Sequence, residues 1–343
     1  MSKTIRIGTR KSALALVQTE LVAAALKKAW PDIEIEIVTK DTLGDKILDK
    51  PLQEFGGKGV FVSEFEQAIL DGIIDLAVHS AKDMPMELAP GLTLVAVSER
   101  EDPRDVLVTL KGSGLTHRAN SHVSLFSETD SSQTECSGRQ NLRIGTSSPR
   151  RQLLALSQTV SDGLWPASLL VRCETLRGNV QTRLRKLEEG MYDGIILAAA
   201  GLKRLGLLND EGKESPYDFH FFHPEIFIPA GGQGIMAVEG LEGSRAAALC
   251  AAVDNREGRL CLTLERRILA LLGAGCHEPI GVYSQICDGR IKVWGISSRN
   301  GRIRQISLEG GITPDELENL AQKAAGRLGS REKGACSDSR GEE

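Results

Sequence analysis

The chain has 343 residues, 41% of them hydrophobic, 26% charged and only 4% aromatic, so its core must be built from Leu, Ile, Val and Ala. That length exceeds what one hydrophobic core comfortably supports and predicts two or three domains. A formal net charge of −4 argues against a dedicated nucleic-acid binder, which needs a surplus of Lys and Arg to neutralise phosphates.

No apolar run approaches the roughly 18 residues of a membrane span, and the N-terminus "MSKTIRIGTR" lacks the apolar stretch of a signal peptide. The seven cysteines, Cys136, Cys173, Cys250, Cys261, Cys276, Cys287 and Cys336, are odd in number and not closely spaced. A soluble cytoplasmic protein without structural disulfides is expected, with no membrane partner.

The chain opens on an alternating strand, Ile5 and Ile7, that runs through Gly8 and Thr9 into a helix at about residues 11–29. A strand at 33–38, a helix at 62–71 and a strand at 92–97 follow. Lys58 sits in the glycine-rich "FGGKGVF" at 55–61, which suggests a hinge or lid and lacks the Walker A pattern. "DGIIDLAVHS" at 71–80 reads as a buried strand, and the turn after it carries Lys82 and Asp83. Such strand ends are where α/β sheets place their chemistry, although a surface ion pair would account for the two residues equally well.

Residues 112–140 are rich in Ser, Thr, Asn and Gly and are expected to form a mobile surface insertion. The opening unit then returns. "RIGTSSPRRQLLAL" at 143–156 parallels "RIGTRKSALALVQ" at 6–18, with Ser148 as a helix cap and Pro149 at the first helical position. "DGIILAAAGLKR" at 193–204 echoes "DGIIDLAVHS", and a strand at 168–172 and a helix at 178–189 lie between. The repetition predicts two similar α/β lobes with largely parallel sheets, one over residues 1–100 with about 220–240 returning to it, the other over 105–219. Helical runs from 244 to 272, strands at 281–286, 291–296 and 303–308 and a helix at 314–327 predict a smaller α+β C-terminal domain over 244–330. The polar tail, 331–343, is expected to be disordered.

Between Arg143 and Arg204 eight Arg and two Lys stand against five acidic residues, reversing the balance of the whole chain. Arg150 and Arg151 fall on the first turn of a helix, where positive charge opposes the helix dipole. With the N–H groups of that helix start and the hydroxyls of Thr146, Ser147 and Ser148 they compose an anion site. Arg10, Lys11 and Ser12 repeat the logic in the first lobe. "LRGNVQTRLRKLEEG" at 176–190 adds Arg177 and Gly178, then Asn179 and Arg183 four residues apart on one helical face. Arg185 and Lys186, close to Glu188 and Glu189, read as a solvated surface. The segment lacks the interleaved aromatics of a base-stacking surface, so nucleic acid is not an expected partner.

Cys276 lies in "LGAGCHEPIG" at 272–281. A free cysteine is commonly a small buried hydrophobe. The surrounding Gly273, Gly275 and Pro279 point instead to an irregular exposed turn. A zinc site with His277 lacks further ligands at recognisable spacing, so no metal is expected. A Cys–His pair of chain neighbours seldom faces itself usefully, which leaves a covalent attachment point.

In order along the chain, "GTRKSALAL", "HSAKDMP", "GTSSPRRQ", "LRGNVQTRL", "AAAGLKRLG", "PAGGQG" and "GAGCHEPIG" resemble the porphobilinogen deaminases, also called hydroxymethylbilane synthases, over roughly residues 3–330. Departures are Ala274, where many members have glycine, the insertion around 112–140, and extra residues near 157–168. The resemblance implies lobes like those of type II periplasmic binding proteins, and a third domain carrying a dipyrromethane cofactor linked through a thioether to Cys276. It implies a transferase of haem and porphyrin biosynthesis, which joins four porphobilinogen units head-to-tail with loss of ammonia and releases hydroxymethylbilane by hydrolysis.

By similarity, Asp83 is catalytic, and the cofactor is held by Asp83, Lys82, Ser12, Thr146, Ser147, Ser148, Arg150, Arg151, Arg177 and Gly178. Substrate contacts fall to Arg10, Ser12, Arg150, Arg151, Arg177, Asn179, Arg183, Arg204 and Lys58. A monomer is expected, whose product passes to uroporphyrinogen-III synthase. The rival from another class is a non-catalytic two-lobed anion-binding protein. It would explain the twin lobes and the arginines, but neither Cys276 nor the third domain.

Overall fold

The two segments that read alike also fold alike. In the computed structural model, which describes residues 4–40, 62–113, 140–157, 169–208, 215–274, 278–299 and 301–329, β1 (Thr4–Arg10) leads into α1 (Ala13–Ala29). The first lobe continues through β2 (Glu34–Lys40), α2 (Ser63–Leu70), β3 (Leu76–Ser80), a 3-10 turn (Ala81–Asp83) and β4 (Leu92–Val97). The second lobe comprises β5 (Asp105–Leu110), β6 (Gln140–Gly145), α3 (Pro149–Leu156), β7 (Leu169–Glu174), α4 (Val180–Glu188), β8 (Gly194–Ala198), α5 (Ala199–Arg204) and β9 (Tyr217–Phe221). The chain then returns to the first lobe as β10 (Met236–Leu241).

Strand order is β2-β1-β3-β10-β4 in the first sheet and β7-β6-β8-β5-β9 in the second. Each sheet pairs three strands in parallel, but β10 runs antiparallel to β3 and β4, and β5 antiparallel to β8 and β9. The expectation of largely parallel sheets is therefore corrected to mixed sheets. The reason is connectivity: β5 and β10 are the first strands entered after the chain crosses between lobes, and they insert beside a strand laid down from the other direction.

One polar device is built twice. Asp75 accepts from the backbone N–H of Arg6 at 2.8 Å and from its guanidinium at 3.0 and 3.1 Å. Asp193 does the same for Arg143, at 2.7, 3.0 and 3.3 Å. Each carboxylate locks the start of its parallel partner strand onto "RIGT". This also corrects the internal echo. The partner of Asp193 is Asp75, four residues beyond the Asp71 that string similarity aligns with it.

After β10, α6 (Arg245–Cys250) packs Ala246 and Cys250 into the first-lobe core beside Ile5, Val22 and Val238. The C-terminal domain comprises α7 (Arg256–Leu271), the antiparallel meander β11 (Ile280–Cys287), β12 (Arg290–Arg299) and β13 (Arg302–Gly310), and α8 (Pro314–Gly329). Alternation along β12 divides its burial between two faces. Ile291 and Val293 pack with α7 and α8, whereas Trp294 and Ile296 pack with Phe222, Phe227 and Ile228 beside the second lobe. Leu262 of α7 joins Ala81, Met84, Val97 and Ile235 in a first-lobe cluster. Among the described residues no helix is long and apolar enough to cross a membrane.

Where the three parts meet, Glu265 on α7 is fully buried. It accepts from Arg100 at 2.6 Å, from the N–H of Gly232 at 2.7 Å, and from the N–H and hydroxyl of Ser284 at 2.7 and 2.8 Å. Burial works against the charge of Arg100, but Glu265, with smaller contributions from Cys261 and Tyr283, offsets it and leaves the guanidinium pKa raised. Arg100 and Gly232 lie on the two inter-lobe crossings, so one carboxylate ties both crossings to the C-terminal sheet. Glu265→Ala would strand these donors without an acceptor and is expected to destabilise the protein by about 3–5 kcal/mol, read as a lower midpoint in thermal or urea unfolding.

Candidate active site between the lobes

The 3-10 turn after β3 presents Lys82 and Asp83 because its other members are anchored. Ala81 and Met84 are buried, and the Ala81 N–H donates to Ile235 O at 3.0 Å. Behind the turn, Ser80 exchanges hydrogen bonds with the buried Gln18 of α1, and His79 pairs with the buried Glu239 of β10 at 3.1 Å. Asp83 itself is exposed. Lys82 donates to Gln233 at 3.4 Å. Burial, opposed by Asp83 and reinforced by Arg151, brings its pKa down to about 8.

The opposing wall comes from the second lobe. Ser148 caps α3 by accepting from the Arg151 N–H at 3.4 Å, with Pro149 at the helix start as expected. The neighbouring hydroxyls also bond within the protein. Thr146 accepts from the Ser148 N–H at 3.2 Å, and Ser147 bonds both the carbonyl and the N–H of Leu176. The Thr146 bond is local to the helix start, whereas Ser147 ties that turn to the one after β7. Ser12 similarly caps α1, accepting from Ala15 at 3.3 Å, beside Arg10 and Lys11.

The guanidinium groups of Arg150 and Arg151 are buried and paired within the protein. Arg150 donates to Asp105 at 2.6 Å and to Ile228 O at 2.8 Å. Arg151 holds the other oxygen of Asp105 with Nε at 3.0 Å and Nη2 at 2.7 Å, and reaches Ile196 O at 2.8 Å. Burial opposes ionisation of Asp105, yet Arg150 and Arg151 hold its carboxyl far below the usual range. Gln233, from the return crossing, adds a bond to the same carboxylate at 3.2 Å. Asp105 is thus the counter-ion that permits two cations on the first turn of α3.

Gly178 adopts φ +113°, and an added Cβ would lie 2.7 Å from Thr182 Cγ2, so this turn requires glycine. Its carbonyl accepts from Arg183 Nε at 2.8 Å. Burial and the nearby Arg151 lower the Arg183 pKa to about 10, and Asp83 across the seam acts in the opposite sense. Arg177 adds positive potential at the same guanidinium.

Three further residues bond within the chain. Asn179 is the N-cap of α4, its oxygen accepting from Thr182 at 2.9 Å. Arg204 donates to Gly234 O at 2.6 Å and so braces the return crossing. Lys186 donates to the Arg177 carbonyl at 3.3 Å, leaving only Arg185, 3.6 Å from Glu189, as the anticipated surface pair. Lys58 and Cys276 lie outside the described residues, as do 114–139 of the insertion and the tail from 330 onward.

Around Lys82 and Asp83 the described residues therefore gather five cations, Lys82, Arg150, Arg151, Arg177 and Arg183, against two carboxylates, Asp83 and Asp105. That donor set suits a ligand with several carboxylates, and the exposed Asp83 supplies an acceptor for N–H groups. Sequence reasoning missed Asp105, Gln18, Gln233 and Glu265. Their available signal was a polar residue heading or interrupting an apolar periodic run, as in "DVLVTL" at 105–110.

A family model described as porphobilinogen deaminase, dipyromethane cofactor binding domain, matches residues 5–248, and one described as porphobilinogen deaminase, C-terminal domain, matches 259–329. A porphobilinogen deaminase of Roseiflexus sp. (strain RS-1) is 43% identical over 88% of this chain and 89% of its own length. That of Methylobacillus flagellatus is 39% identical over 95% and 94%. Among solved structures, a periplasmic sulfonate-binding protein of Methylobacillus flagellatus KT is 15% identical with a TM-score of 0.35, over 77% of this chain and 67% of its own.

Lys82 gives the site a pH signature of definite sign. Its folded pKa of about 8 lies below the ordinary 10.5, so between those values the folded state binds fewer protons than the unfolded one. The ligand-free protein should gain stability as pH rises through that window, while affinity for polycarboxylates, which need the ammonium, falls. Calorimetric titration with a small polycarboxylate should show about a tenfold loss of affinity across the window, and Lys82→Met should flatten both dependences.

Proposed function

Because the chain belongs to the porphobilinogen deaminase family, we propose that Cys276 tethers the family's dipyrromethane cofactor and that the cations between the lobes hold its carboxylates. The reaction is that of a hydroxymethylbilane synthase in tetrapyrrole biosynthesis: four porphobilinogen units are joined head-to-tail with loss of ammonia, and hydroxymethylbilane is released by hydrolysis. The observation that carries the residue assignment is the meeting of Lys82 and Asp83 from one lobe with Arg151, Arg177 and Arg183 from the other. When bound, the dipyrromethane supplies a pyrrole ring with a free α-carbon to which the first unit is joined.

Each residue then has a physical task. Every incoming pyrrole bears an acetate and a propionate, and Lys82, Arg177 and Arg183 match those charges, with Arg10, Ser12 and Lys58 contributing from the first lobe. Arg150 and Arg151, fixed by Asp105, contribute positive potential, and rearrangement of that buried triad would turn a donor towards the ligand. Asn179, capping α4, and Arg204, bracing the return crossing, act by holding the walls. Asp83 holds pyrrole N–H groups and stabilises the positive charge that develops on the incoming unit as ammonia leaves.

Cys276 suits the anchor role better than the thiols of Cys173, Cys250 and Cys261. Burial pushes Cys173 up to about 11 and Cys250 up to about 12 and raises Cys261, so these are inert. Cys287 is exposed at the end of β11. The enzyme works as a cytoplasmic monomer and delivers its product to uroporphyrinogen-III synthase.

Intact mass spectrometry tests the anchor: the purified chain should carry a dipyrromethane adduct, absent from Cys276→Ser, and an unmodified mass in active protein would contradict it. Asp83→Asn should keep the adduct and lose about a hundredfold or more in turnover; a near-normal rate would remove Asp83 from the chemistry.

A further inference from the structure

We propose that Arg299 is a positioning residue that clamps the cysteine-bearing segment by both of its ends. The inference rests on the anchor role of Cys276 and adds a residue that the motifs do not contain. Helix α7 ends in a Schellman motif, in which Gly273 N–H bonds Ala270 O at 2.9 Å and Ala274 N–H bonds Leu269 O at 2.9 Å. Gly273 takes φ +60° there, and Ala274 is buried against the C-terminal core. The helix therefore stops at a defined point two residues short of Cys276. Beyond the cysteine, Glu278 lies two residues before β11.

Arg299, the last residue of β12, reaches both points with one nitrogen. Its Nη2 donates to Leu272 O at 2.6 Å and to Glu278 Oε2 at 2.7 Å. A guanidinium –NH2 carries two hydrogens, so one group can serve both acceptors, and its planar fork holds them in fixed relation. The Leu272 carbonyl belongs to the C-terminal end of α7, where the helix dipole favours a cation. Next to Arg299, the Ser298 N–H donates to Pro279 O at 3.2 Å, and Ile280 pairs with Ser297. The five residues from Gly273 to His277 thus span two points fixed on one side chain.

A tether must present its ligand in a narrow range of positions, and closing both ends of a short segment removes conformational freedom before the ligand arrives. Arg299 and Glu278 neutralise one another, so the clamp acts through geometry and adds no charge to the anion site. The two side chains are 31% and 37% exposed, so solvent screens their attraction and the carbonyl contact shares the load.

The test uses the full chain prepared without cofactor, then supplied with porphobilinogen, as wild type, Arg299→Gln, Arg299→Lys and Glu278→Gln. Three quantities are followed: the rate at which the adduct forms by intact mass, hydrogen exchange of the amides from 273 to 278, and the thermal midpoint. Arg299→Gln should speed exchange in that segment and slow adduct formation by about tenfold, with the midpoint little changed. Arg299→Lys should restore part of both, and Glu278→Gln should fall between. Unchanged exchange and attachment in Arg299→Gln would overturn the clamp, as would a slowing that follows the midpoint equally in all three variants. A wild-type chain that gains no adduct at Cys276 would overturn the anchor role alone, and the exchange comparison would still decide the clamp.

Discussion

A carboxylate sealed from solvent must be met by donors, and Glu265 is met from three directions: Arg100 on the outward crossing, Gly232 on the return crossing, and Ser284 on the C-terminal sheet. The attraction is strong because water is excluded, and the geometry is strict because an unmet bond there is costly. Helix α7, which carries Glu265, packs Leu262 under the first lobe and Leu264 and Ile268 into the C-terminal core. Its start is held to β4 through Asp254 and Asn255, and its end runs to the segment of Cys276. The end of that helix, as far as Ala274, is thereby referred to the same buried point as the two inter-lobe crossings.

The cation cluster follows a related division of labour between two aspartates. Asp105 is buried and consumed by Arg150 and Arg151, so it organises charge without being available to a ligand. Asp83 is exposed on a turn whose neighbours are buried, so it is placed firmly yet remains accessible. If Asp105 were absent, two guanidinium groups would be buried unpaired at a helix start. If a second carboxylate faced Lys82 and Arg183, it would reduce the positive excess of the seam and compete with a polycarboxylate for those cations. Burial first, and the neighbouring cations after it, lower the pKa values of Lys82 and Arg183, and an anion brought to the seam would favour their charged forms.

Local features of this architecture were legible in the sequence because they depend on local physics. The cap at Ser148, the proline after it, the paired "RIGT" units and the meander of the C-terminal domain each follow from periodicity and capping preference. The antiparallel direction of β5 and β10 was not legible, since it depends on where the chain re-enters a sheet built from distant segments. String similarity set the second echo four residues out of register, because Asp71-Gly72 matches Asp193-Gly194 better in letters than Asp75 does in space. Asp83 and Lys82 could be placed from a strand end. The pairing of Arg150 and Arg151 with Asp105, 45 and 46 residues away in the chain, could not, because an arginine-rich turn looks the same whether its partner is a ligand or a distant strand.

The most direct measurement is a crystal structure of the protein as purified, with attention to the density leaving the Cys276 sulfur. Continuous density should run from that atom into the seam between the lobes, place pyrrole nitrogens within about 3 Å of the Asp83 carboxylate, and set its acid groups against Lys82, Arg177 and Arg183. Density that leads away from Asp83, or a seam whose cations are all matched by carboxylates of the chain itself, would contradict the assignment.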